Sequence, residues 1–231
     1  MSRRIHFCIL AILLSAQCLA QISVINRGIP GENTADIDDR IAREVKGSSP
    51  DIIVLFAGMN DAVNEKKFLL PESSRVHLEN IMNVCHKAQV RVVMVTVHQP
   101  DVARLMQRHQ PGVYGSRAPG QRISELNQII VGIAEKRNLP IVDFNRILAS
   151  QGGATRTWSS DGVHLTAKGY HSLATAVFEQ IRNLQGVRTI LCLGDSLTFG
   201  VGVRDIGGPE GSDTYPRQLA QLINAARPQK P

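Results

Sequence analysis

Aromatic residues make up only 4% of this chain, and that scarcity removes the first function class a basic protein invites. Binding to nucleic acid uses a basic stripe interleaved with rings on which bases stack. Here the formal charge is +6 over 231 residues; leaving out Arg3 and Arg4 near the N-terminus lowers it to +4, and the remainder is dispersed, so no nucleic-acid partner is expected. Long apolar runs are lacking as well. The stretch Ile5 to Leu14 falls short of the roughly 20 residues that cross a bilayer, so no stable membrane span is expected. Cysteine is sparse, with four residues in all. Cys8 and Cys18 precede residue 20, and Cys85 and Cys192 read as buried free thiols with no support for a bond between them.

What the N-terminus does have is a basic start, an apolar core and small residues near Ala20, and Met1 to Ala20 resembles a secretory signal peptide. The expected organisation is therefore residues 1–20 as a leader and residues 21–231 as a single domain, secreted or periplasmic. Cleavage after Ala20 leaves only Gln21 and Ile22 before the first strand, which keeps an uncleaved anchor or an internal apolar segment as the competing reading.

The remainder alternates strand and helix. Ser23 to Asn26, Asp51 to Ala57, Val90 to Val97, Leu139 to Phe144 and Ile190 to Leu193 read as buried strands. Helices are expected from Thr34 to Gly47, after Pro71 with Val76, Ile81, Val84 and Cys85 inward, up to about Arg137, from Ala167 to Leu184, and from Tyr215 to Ala226. Residues Gln99 to Gly120, rich in Pro, Gly, Arg and His, read as a long loop. This alternation predicts an α/β fold, with a parallel sheet of about five strands covered on both faces.

The polar residues gather at one address. Gly31, Asn60, the pair Asp161 and His164, and Ser196 each follow a different strand at its C-terminal end, so a parallel sheet carries them all to one rim. Acyl transfer through a nucleophile needs a hydroxyl, a base to take its proton, an acid to orient that base, and donors where negative charge develops. The rim supplies each of these. Three residues apart in a turn, Asp161 can reach the near ring nitrogen of His164 and leave the far one for Ser196. The rival readings are a turn Asp beside a partly buried His, and a metal-ligand pair; no further Cys, His or carboxylate cluster lies nearby in sequence, so no metal or other cofactor is expected. His98 and Trp158 are the candidate substrate-binding residues, with Arg104, His109 and Arg117 beside them, although loop charges are more often simply solvated.

Gly194-Asp195-Ser196-Leu197, Asn26-Arg27-Gly28-Ile29-Pro30-Gly31, Gly58-Met59-Asn60-Asp61 and Asp161-Gly162-Val163-His164 resemble the four sequence blocks of the SGNH, or GDSL, hydrolases. The resemblance implies a flavodoxin-like three-layer α/β/α fold and a serine esterase acting on short-chain acyl or acetyl esters of small molecules or saccharides. It implies Ser196 as nucleophile, His164 as base, Asp161 as acid, and an oxyanion hole of Ser196, Gly31 and Asn60. Acyl transfer to a sugar hydroxyl, or a secreted binding module that has lost turnover, are the alternatives. In the family the nucleophile block comes first; here it comes last, so the chain reads as circularly permuted. The last strand is then expected to insert between the first two at the centre of the sheet, unless the terminal unit completes a neighbouring molecule by domain swapping.

Overall fold

The structure, a computed structural model, describes residues 21–110, 112–204 and 211–226; the leader expectation falls on residues outside this set. Five strands, β1 (Ser23–Gly28), β2 (Ile52–Phe56), β3 (Arg91–Val95), β4 (Ile141–Val142) and β5 (Thr189–Gly194), form one sheet in the order β1-β5-β2-β3-β4. Every pairing is parallel. The last strand therefore does insert between the first two, with Ile190 to Leu193 in register with Val24 to Arg27 on one side and Ile52 to Leu55 on the other. Strands β2 and β5 are apolar on both faces because both faces are covered: Ile52, Ile53, Val54, Phe56, Leu191, Cys192 and Leu193 are fully buried.

On one side, α1 (Thr34–Ser48), α3 (Pro71–Lys87) and α5 (Pro119–Arg137) pack side by side; α7 (Ala167–Ile181) pairs with α9 (Tyr215–Ala225), which also meets β1. Short helices α2 (Met59–Val63), α4 (Val102–Leu105), α6 (Phe144–Ser150) and α8 (Ser196–Phe199) stand at strand ends. Local chemistry explains the starts. Asn33 and Asp36 form a reciprocal capping box on α1, Pro71 and Pro119 occupy first helical positions, and the Thr166 hydroxyl accepts from Gly169 N to open α7.

Several boundaries and one face differ from the sequence reading. Gly47 does not stop α1; the helix ends when Ser49 adopts a left-handed conformation at φ 42°. The fourth strand shrinks to two residues because Asp143 caps a helix through Arg146 N. Val76 was expected to face inward but is 55% exposed, and Ser74 and Leu78 take the buried positions. The scarce aromatics concentrate under the site end of the sheet: Phe56 meets Phe144 and Tyr215 edge-on at centroid distances of 6.0 and 6.4 Å, a geometry worth about 1 kcal/mol per pair beyond burial.

Candidate active site

The end of β5 turns sharply into α8, and the turn is crowded. A Cβ at Gly194 would lie 2.0 Å from Phe56 O and 2.3 Å from Thr198 Oγ1, so only glycine lets β5 approach β2 at this point. Asp195 then caps α8, its Oδ1 accepting from Leu197 N at 2.9 Å, and Ser196 follows at 7% exposure.

Opposite Ser196 stands a turn held by its own side chains. Asp161 Oδ1 accepts from the amides of Val163 and His164 at 2.9 and 2.7 Å, and Ser159 Oγ accepts from Gly162 N while donating to His164 O. Such Asx-type bonding bends the chain back on itself. It leaves Asp161 Oδ2 2.7 Å from His164 Nδ1, and His164 Nε2 3.1 Å from Ser196 Oγ. Burial pushes the Asp161 carboxyl up, yet the hydrogen bond and charge of His164 together with the two turn amides outweigh it and hold the group well below the usual carboxylate range. An ionised carboxylate only accepts, so Nδ1 carries the proton, and a neutral ring in that tautomer leaves Nε2 as acceptor for the serine hydroxyl.

The remaining expected donors gather on a neighbouring turn. Gly31, at φ +84°, leads into Glu32, whose carbonyl accepts from Asn60 Nδ2 at 2.8 Å. Among the described residues Gly31 N and Ser196 N donate to no group, and the second Asn60 Nδ2 hydrogen is not used. This turn is tied to the β5 end through Ile29 N to Gly194 O at 3.1 Å. A buried arginine underpins the join. Arg40 of α1, 3% exposed, pairs with Glu32 and Glu44 and donates to Arg27 O and Gly194 O.

The structure brings Ser196, His164 and Asp161 into contact and ties Asn60 to Glu32, the residue after Gly31. His98 is a correction. It is 0% exposed, its Nε2 donates to Val163 O at 2.9 Å, and it stacks edge-on to Phe144, so it braces the His164 turn from beneath and cannot line a substrate pocket. Burial, reinforced by nearby His164, pushes its pKa down to about 4 and keeps it neutral. Trp158 donates its indole N–H to Gln151 O and carries the Lys168 ammonium 4.5 Å over its ring, which ties it to the flanking loop and α7; among the described residues it makes no hydrogen bond to Ser196 or His164. Arg104 is likewise committed to Asp101, Ser159 O and Ala154 O. His109 Nδ1 lies 2.6 Å from Glu65 Oε2, close enough for an ion pair but off the axis of a hydrogen bond. Arg117 pairs with Glu125.

Arg40 and Arg108 were not singled out from the sequence. Arg40 sits between Ile37 and Ile41 on the buried stripe of α1, an interruption that signals a paired charge; Arg108 falls four residues after Arg104, a helical spacing hidden in what reads as loop. Cys85 and Cys192 are buried and free. Among the described residues no group of His, Cys, Asp and Glu could hold a metal ion, and no helix is long and apolar enough to cross a membrane.

The three-layer α/β/α architecture sets a serine, a histidine and an aspartate in hydrogen-bonded series at the C-terminal rim of its parallel sheet, groups of the kind that acyl transfer through a nucleophile uses. The sequence profile of the GDSL-like lipase/acylhydrolase family matches residues 9–171. The chain belongs to that family, and it is a hydrolase enzyme. The matched span ends before β5, so Ser196 and the strand leading to it lie outside it. The acetylxylan esterase of Geobacillus stearothermophilus is 25% identical over 166 residues, 69% of this chain and 72% of the relative. Among solved structures, a GDSL-like lipase from Bacteroides thetaiotaomicron superposes with a TM-score of 0.57 at 22% identity, covering 68% of this chain and 74% of that one. A lipase/acylhydrolase from Enterococcus faecalis gives 0.55 at 26% identity, covering 67% and 73%.

Proposed function

We propose that the protein hydrolyses short-chain acyl esters, acetyl esters foremost, through a Ser196–His164–Asp161 triad and an oxyanion hole of Ser196 N, Gly31 N and Asn60 Nδ2. The observation that carries this reading is the unbroken series Ser196 Oγ, His164 Nε2, His164 Nδ1, Asp161 Oδ2, with a gap of 3.1 Å between residues 32 apart in sequence and one of 2.7 Å between residues 3 apart. Neutral His164 takes the Ser196 proton as Oγ attacks the ester carbonyl, and Asp161 stabilises the imidazolium that forms. The tetrahedral oxyanion is held by the two free amides and Asn60. His164 returns the proton to the departing alcohol, then activates water to release the acyl group. No step calls for a metal or organic cofactor.

The choice of acetyl esters, including those of saccharides, rests on the resemblance to an acetylxylan esterase. The chain is also read as circularly permuted and as exported by its first twenty residues. The position of β5 between β1 and β2 supports the first reading, and the basic-then-apolar start supports the second. Purified wild type should turn over 4-nitrophenyl acetate and Ser196→Ala should not; equal turnover by the two would refute the assignment.

A further inference from the structure

The segment that follows β3 grips the Asp161–His164 turn at successive points. His98 Nε2 donates to Val163 O, Asp101 N donates to Gly162 O at 2.8 Å, and Arg104 donates to Ser159 O at 2.9 Å and to Ala154 O. The fit is close: Gly162 has φ +97°, and a Cβ there would come within 3.0 Å of Asp101 O and of Arg104 Cβ. These bonds fasten the backbone of the turn. The next one reaches its chemistry. Turns from Met106 N to Val102 O and from Arg108 N to Leu105 O continue the coil of α4, and one turn beyond Arg104, Arg108 Nη1 donates to Asp161 Oδ2, the same oxygen that receives His164 Nδ1–H.

We propose that Arg108 is a positioning residue for the acid–base pair: it pins the Asp161 carboxylate in the plane His164 needs and, by sharing its charge, keeps the imidazole neutral to lower pH. The proposal rests on the triad reading above. A carboxylate bonded to one imidazole alone can swing about its Cα–Cβ and Cβ–Cγ bonds, and a second donor on Oδ2, added to the two amides on Oδ1, removes that freedom. The same cation opposes protonation of the ring. A lone carboxylate favours imidazolium, whereas a carboxylate already paired with guanidinium favours it less. Arg108 is 40% exposed and Asp161 31%, so solvent and salt weaken the effect without abolishing it.

Among the described residues, other ionisable groups lie around the turn. His98 below it is neutral, Arg104 is paired with Asp101, Tyr170 of α7 is buried and pushed far above the ordinary phenol range, and Asp195 on the β5 turn is buried and pushed up to about 7. Asp195 therefore titrates near neutrality itself, and the informative quantity is the difference between two profiles rather than either alone.

The test is kcat/KM for 4-nitrophenyl acetate from about pH 5 to 9 at low ionic strength, on the full chain, for wild type, Arg108→Gln and Arg108→Lys. For Arg108→Gln the acid limb should move up by about half to one pH unit, costing roughly 3- to 10-fold near pH 6 and little near pH 8.5. Arg108→Lys, which keeps the charge but loses the planar fork, should keep the wild-type limb. Added salt should move wild type toward Arg108→Gln and leave that variant in place. Superimposable profiles, or an equal loss at every pH, would overturn the proposal. An NMR titration of the His164 ring with and without Arg108→Gln in the Ser196→Ala background reads the same displacement without turnover. An inactive wild type with a displaced titration would thus sink the esterase reading while sustaining the role of Arg108.

Discussion

Removing the buried guanidinium of Arg40 should injure stability and catalysis together, for a reason visible in its bonds. Arg40 Nε donates to Glu32 Oε2 at 2.8 Å, Nη2 lies 2.6 Å from the same oxygen, and the outer nitrogens reach Glu44, Arg27 O and Gly194 O. Arg40→Met keeps much of the stem's volume but strands the Glu32 carboxylate, only 15% exposed, and leaves Glu44, 14% exposed, with Arg27 alone; Gly194 O keeps only Ile29 N. Breaking one side of a buried pair costs about 3 to 5 kcal/mol; the residual exposure of Glu32 and Glu44 places this case near about 3. For a chain of this size that is roughly a 6–12 °C fall in Tm. A compensating Glu32→Gln in the same protein removes the stranded charge, so the pair should couple by at least about 1 kcal/mol in a double-mutant cycle. Because the Glu32 carbonyl holds Asn60 Nδ2, loosening it should lower kcat about tenfold, less than the roughly 10²- to 10³-fold of removing an oxyanion donor outright, with KM little changed. Thermal unfolding by circular dichroism and steady-state ester hydrolysis measure both effects. A Tm within about 2 °C of wild type, with strictly additive mutations, would show that the network does not hold the site.

Two further outcomes follow from the same geometry. Asn60→Ala should lower kcat by roughly 10²- to 10³-fold if the free Nδ2 hydrogen donates to the oxyanion; a change confined to KM would refute that role. Asp195 is raised by burial to about 7, so its ionisation weighs against the fold. Its stabilising protonated state is fully present below the unfolded value near 3.8 and is lost as pH rises through about 7. Asp195→Asn, which keeps the cap on Leu197 N, should therefore gain on wild type by about 2 to 3 kcal/mol more at pH 8 than at pH 5, read by denaturant unfolding; a gain independent of pH would show that the carboxyl is not held neutral.

Much of the site was legible because it is written in short, local patterns. Gly194-Asp195-Ser196 at the end of an apolar run, and Asp161 three residues before His164, encode turns whose bonds are nearly all internal. The strands β2, β3 and β5 were legible for a similar reason, since continuous burial leaves a continuous apolar run. What was not legible depends on partners distant in the chain. Val76 lies on a plausible helical stripe, yet α3 is rotated so that Ser74 can donate to buried Asp61 at 2.8 Å, and no helix-internal signal reports that bond. His98 ends a strand at the active rim, which suggests a substrate contact; only its carbonyl partner, Val163, 65 residues on, shows it to be a brace. Arg40 and Arg108 are of this kind, as long flexible side chains whose roles appear only once distant carboxylates are placed.

The placement of β5 binds these observations into one argument. Strand β1 pairs with β5 and with no other strand among the described residues, while β2 pairs with both β5 and β3. The turn bearing Gly31 thus joins the sheet through the very strand that carries Ser196, and the Ile29 N to Gly194 O bond fixes their relative height. A strand arriving last in sequence at a seam between two others closes the most sequence-distant contacts of the fold, and loop-closure entropy is spent before those contacts repay it. The Ser196 turn, the Gly31 turn and the continuity of the sheet are consequently coupled through β5. Any partly folded form in which β5 is undocked therefore leaves Ser196 unplaced against His164, so on the triad reading the proposed nucleophile is positioned only once its proposed base and acid have a sheet to stand on.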